Sequence, residues 1–96
     1  MNVSSIEYKF NKALRLLDFG NIGKALDILN EIVVEAKEEH NTLFFIRASC
    51  VLGEQLFLNG NVDEAKQHLT NVVNMPYEND IVAYEKNIAA NILSRL

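Results

Sequence analysis

The sequence predicts an all-α protein of about five helices, arranged as antiparallel helix-turn-helix repeats. Three observations carry this reading. Apolar residues recur at three- and four-residue spacing along most of the chain, which is the helical period. Breakers are rare, with four Gly and one Pro in 96 residues, while good helix formers are common. Two similar corners, Phe19-Gly20-Asn21 and Asn59-Gly60-Asn61, interrupt the helical pattern forty residues apart.

The first helix opens at Ser4, where Glu7 three residues on completes a capping box. Ile6, Phe10, Ala13, Leu14 and Leu17 form its apolar face. Gly20 suits the left-handed conformation that closes a helix, and Asn21 is placed to cap the next. The second helix carries Ile22, Ala25, Leu26, Leu29, Ile32, Val33 and Ala36 on one face, and Lys24, Asp27, Glu31, Glu35 and Glu38 on the other. It should fade near Glu38-Glu39, which oppose the negative end of the helix dipole. Asn41 is the expected next cap.

The third helix, about Thr42 to Asn59, is apolar on most sides, so it is expected to be covered on both flanks. It ends at Asn59-Gly60. That dipeptide alone signals a two-residue β-hairpin. Neither flank alternates with period two, however, and both show the helical period, so the turn reads as a corner between helices. Asn61 with Glu64 resembles a capping box for the fourth helix, whose apolar residues are Val62, Ala65, Leu69, Val72 and Val73. Pro76 breaks it. A fifth helix is expected from about residue 77 to the end, with Val82, Ile88, Ala89, Ile92, Leu93 and Leu96.

Shifting the chain by forty residues superposes Ile6 on Ile46, Leu16 on Leu56, Gly20-Asn21 on Gly60-Asn61, Ala25 on Ala65, Leu29 on Leu69 and Val33 on Val73. Chance pairing of amphipathic helices gives Leu and Ile matches readily. It does not readily give the Gly-Asn corner with an Ala five residues after the Gly in both copies. Ala13 and Gly53 fall where two antiparallel helices approach most closely and only a small residue fits. A shift of 36 places the fifth helix on the third as half of a further repeat, with Ile46 on Val82, Gly53 on Ala89 and Leu56 on Ile92.

These residues resemble the tetratricopeptide repeat (TPR). Leu52-Gly53, Leu56, Gly60, Ala65, Leu69 and Val72 carry the likeness in the second copy, and Ala13, Leu16, Gly20, Ala25, Leu29 and Ile32 in the first. The likeness spans about residues 6–76. The bulky aromatic early in the family's first helix is missing, only the second copy ends near a Pro, and the period is forty rather than about 34. The surplus falls at Glu35–Thr42, where longer helices are expected. The resemblance implies a right-handed superhelix formed as one domain: repeat one over about 5–40, repeat two over about 41–75 and a closing helix over about 77–96. It also implies that the first helix of each pair lines a concave, partner-binding face. Carried over by position, that face holds Glu7, Phe10, Leu14 and Leu17, then Arg47, Cys50, Glu54 and Phe57. From the fifth helix it holds Ala83, Lys86, Ala90 and Leu93. The same residues would also serve as core in a compact five-helix bundle.

Composition narrows the function. The formal charge is −4, from nine Lys and Arg against thirteen Asp and Glu, and the cations are scattered singly. Nucleic-acid binding needs clustered cations facing phosphates, so it is not expected. No apolar stretch is longer than four residues, as in Leu43–Ile46, so no membrane span is expected. No signal peptide is visible at the N-terminus. The single Cys50 excludes an internal disulfide, and a cytoplasmic setting is the default expectation.

No constellation for catalysis, metal or cofactor is apparent. Glu31, Glu35, Glu38 and Glu39 read as a solvated acidic face, lacking the Glu-x-x-His pairs of di-iron bundles. Glu64 and His68 read as an exposed helical pair. Cys50 reads as an inert buried or groove-lining thiol. The expected function is therefore that of a non-enzymatic adaptor binding a protein or peptide segment on the concave face. The alternatives are a module that self-associates through its C-terminal helix and a peptide-responsive regulator or inhibitor.

Overall fold

Helix α1 spans Ser5–Asp18, α2 Ile22–Glu38, α3 Thr42–Leu58, α4 Val62–Asn74 and α5 Ala83–Leu93. A single 3₁₀ turn, Asp80–Val82, precedes α5. These elements come from a computed structural model of the chain, which describes residues 5–77 and 80–96. The expected capping box at Ser4 lies outside the described residues. Among them every regular element is helical, and each helix packs against the next in sequence. Helix α3 also meets α5, and more lightly α1. The two longest helices, α2 and α3 at 17 residues each, flank the segment where the forty-residue period has its surplus.

The burial pattern explains why α3 is apolar nearly all round. Phe45, Ile46, Ala48, Ser49, Cys50, Leu52, Gly53 and Leu56 are all buried, because α2, α4 and α5 cover different sides of the helix. By contrast α1 buries only Ile6 and Ala13 fully, on the side facing α2. Four of the positions that match across the forty-residue shift are core positions: Ala25, Ala65, Leu29 and Leu69 have no exposed surface. Gly53 is required by close approach. A Cβ there would fall 2.7 Å from Leu69 Cγ and Cδ2 and 3.4 Å from the Ala65 carbonyl oxygen, so any side chain would displace the buried Leu69 or push α3 and α4 apart.

The corners follow one design. Gly20 and Gly60 have φ of +82° and +88°. At the first, Gly20 N–H donates to Leu17 O at 3.0 Å and Asn21 N–H to Leu16 O at 2.8 Å. At the second, Gly60 N–H donates to Phe57 O at 3.1 Å and Asn61 N–H to Leu56 O at 2.8 Å. These paired bonds satisfy the last carbonyls of the helix, the Schellman arrangement. The corner between the two helix pairs is the same, with His40 (φ 58°) in the left-handed position. Its N–H donates to Lys37 O at 3.3 Å, and Asn41 N–H to Ala36 O at 2.8 Å.

The caps differ from expectation. Among the described residues only Asn41 caps through its side chain, accepting from Phe44 N–H at 3.2 Å. Asn21 and Asn61 make no such bond. Both are exposed, whereas Asn41 is half-buried, so water competes for their amides and less for that of Asn41. The fifth helix is also shorter than expected, because Asp80–Val82 form a 3₁₀ turn and α5 runs only from Ala83 to Leu93.

Candidate binding groove

The three odd-numbered helices share one face of the array, and an open hollow of about 670 Å³ lies along it. Helix α3 is the floor, contributing Arg47, Cys50, Val51, Glu54 and Gln55. Phe10, Leu14, Leu17 and Asp18 of α1 form one wall, and Tyr84, Glu85 and Ile88 of α5 form the other. The helical period places each group: 10, 14 and 17 lie on one stripe of α1, and 47, 50, 51 and 54 on one stripe of α3.

Of the residues that sequence placed on this face, Phe10, Leu14, Leu17, Arg47, Cys50 and Glu54 line the hollow. Glu7, Phe57, Lys86 and Leu93 do not, nor do Ala83 and Ala90. Lys86 points the other way and donates from Nζ to Met75 O at 2.6 Å, tying α5 to the end of α4. Phe57 and Leu93 pack on the core instead. Asp18, Val51, Gln55, Tyr84, Glu85 and Ile88 join the lining unforeseen. The difference on α5 is one of register. Residues 84, 85 and 88 lie 34 positions after 50, 51 and 54 on the floor, so a shift of 36 points two residues too far along the helix. Val51 and Gln55 border the predicted floor stripe, and a wider stripe would have included them.

A chain of side chains crosses the groove. The Phe10 and Phe44 rings meet edge-on with centroids 5.5 Å apart, joining α1 to α3. The Arg47 guanidinium sits 5.7 Å from the Phe44 ring centroid, a cation–π distance. Arg47 Nε then lies 3.5 Å from Glu85 Oε2, joining α3 to α5. The Cys50 thiol donates weakly to Glu85 O at 3.6 Å.

Cys50 lines the hollow yet is only 2% exposed. Burial, with the negative charges of Glu54 and Glu85 adding to it, pushes the thiol up to about 12. A thiol held neutral is a poor nucleophile, so the groove offers a binding surface with an unreactive sulfur. Elsewhere, Lys9 Nζ donates to Glu35 Oε1 at 2.6 Å and lies 3.5 Å from Glu31 Oε1, so part of the acidic face of α2 is paired with α1. Those carboxylates raise the Lys9 pKa, chiefly through the hydrogen bond to Glu35.

His68 is half-buried rather than part of an exposed pair, and its Nδ1 is buried without a hydrogen-bond partner. Desolvation lowers its pKa, against the opposing charge of Glu64. No group of three or more His, Cys, Asp or Glu side chains converges as a metal site among the described residues. No helix among them is long and apolar enough to cross a membrane. Comparison with protein-family models, with curated proteins and with solved structures yields no match.

Proposed function

We propose that this chain is a binding module that holds a protein or peptide segment in the groove between α1, α3 and α5. The observation that supports the reading is the groove lining itself. Phe10, Leu14, Leu17, Val51 and Ile88 present apolar side chains along an open channel, with charged groups at intervals among them. A channel of that composition suits one apolar face of a helix or extended segment. The proposed setting is intracellular, and the proposed role is scaffolding or regulation without catalysis.

The test is substitution inside and outside the groove. Leu14→Ser with Leu17→Ser should abolish capture of a partner and leave the far-UV CD signal unchanged. Phe19→Ser should leave capture intact, since Phe19 lies on the first corner with 86% of its surface exposed and is not among the residues that line the channel. Equal capture by all three proteins would remove the groove from consideration.

A second reading, self-association through the C-terminal segment, is favoured by one observation. Ile81, Tyr84 and Leu96 are 50%, 73% and 42% exposed, a set of large apolar side chains near α5. Light scattering over a wide concentration range decides it, and a strict monomer rejects the dimer.

A further inference from the structure

The charges in the groove are unbalanced in a way that specifies its occupant. The lining holds three carboxylates, Asp18, Glu54 and Glu85, and one cation, Arg47. Arg47 is already engaged, lying 3.5 Å from Glu85 Oε2 and over the Phe44 ring. Asp18 and Glu54 have no cation within ion-pair distance among the described residues. Glu85 is the most constrained of the three. Its side chain is 17% exposed, and Oε1 is buried without a hydrogen-bond partner. A carboxylate oxygen withdrawn from water and left without a donor is unfavourable, and turning the Glu85 carboxylate toward a donor in the hollow relieves that cost.

Building on the binding-module reading, we propose that the occupant is a peptide segment with a Lys or Arg set between apolar side chains, the cation directed to Glu85 and Glu54. The apolar neighbours lie on Leu14, Leu17 and Ile88. A guanidinium or ammonium reaching the floor supplies donors to both carboxylates, and such charge-assisted bonds are strong in a partly desolvated site. An acidic segment would meet like charges in the same place and be rejected.

The experiment is selection of a phage-displayed library of random dodecapeptides on the folded protein, on Glu54→Gln/Glu85→Gln and on Leu14→Ser/Leu17→Ser. The expected result is enrichment of peptides that combine a Lys or Arg with flanking apolar residues. The Leu variant should lose them. The Gln variant should keep apolar selection and lose the basic preference. Should the double Gln variant fold poorly by CD, Glu54→Gln alone carries the test, since Glu54 is half-exposed. It should weaken a selected basic peptide roughly two- to fivefold, with a smaller salt dependence than the parent protein. Enrichment of neutral or acidic apolar peptides overturns the charge inference and leaves the binding module standing. A basic preference that survives the Gln variants overturns it as well. No enrichment above background overturns both.

Discussion

The corners inside the helix pairs and the corner between them have one backbone and different residues. Gly20 and Gly60 turn the first kind and His40 the second, all at positive φ, each followed by Asn and each closed by the same two backbone bonds. The flanking conformations agree closely: φ and ψ are −87° and 70° at Asn21, −88° and 81° at Asn41, and −85° and 69° at Asn61. The forty-residue repeat of the sequence is therefore a twenty-residue repeat of the backbone. The difference teaches what Gly contributes here. A Cβ at Gly20 or Gly60 would meet nothing within 4 Å, so space does not require Gly; the left-handed φ does. His40 holds the same conformation without that freedom.

The largest expected effect comes from making a glycine corner worse than the histidine one. Gly60→Val places a β-branched residue at φ +88°. With no clash to add, its cost is backbone strain alone, about 1–2 kcal/mol. Urea denaturation followed by CD measures it. A near-neutral result would mean that the corner shifts to another turn type, and the equivalence of the three corners would be lost.

The reverse substitution has a smaller effect of opposite sign. His40→Gly relieves a left-handed non-glycine residue while making the unfolded chain more flexible. The net expectation is a gain of about 0.5–1 kcal/mol. The side chain of His40 is exposed, so little packing is lost. A destabilised variant would show that the imidazole makes a contribution the backbone comparison leaves out.

The helical period and the glycine corners were legible in sequence because each has a residue-type signature. The spacing of Ile6, Phe10, Ala13 and Leu17 can belong only to a helix face, and Gly before Asn marks a left-handed stop. The same reasoning found the small residue at Gly53 and placed Phe10, Leu14, Leu17, Arg47, Cys50 and Glu54 together. His40 was not legible as a corner, since nothing in a His-Asn pair announces positive φ. The side that α5 turns to the groove was also hidden. It depends on the register of that helix, two residues off the 36-residue shift, which is set where the chain enters through the 3₁₀ turn Asp80–Val82. Glu85, the residue that most distinguishes the groove, was missed for that reason.

The chain has two histidines, and the second extends the comparison from backbone strain to burial. His40 is exposed with a strained backbone. His68 lies in the relaxed interior of α4 with a half-buried ring and a buried, unpartnered Nδ1. Desolvation lowers the His68 pKa below its ordinary 6.5, so the folded state binds its proton less readily than the unfolded chain. The sign follows from linkage: the stability tied to neutral His68 is present above pH 6.5 and is lost as pH falls below it toward the folded-state value. His68→Gln should therefore flatten the acid side of the stability profile. Glu64→Gln removes the charge that opposes the shift, so it should steepen the slope. Urea midpoints measured across that pH range for the parent protein and the two variants check both signs. An acid slope unchanged by His68→Gln would remove His68 as its source.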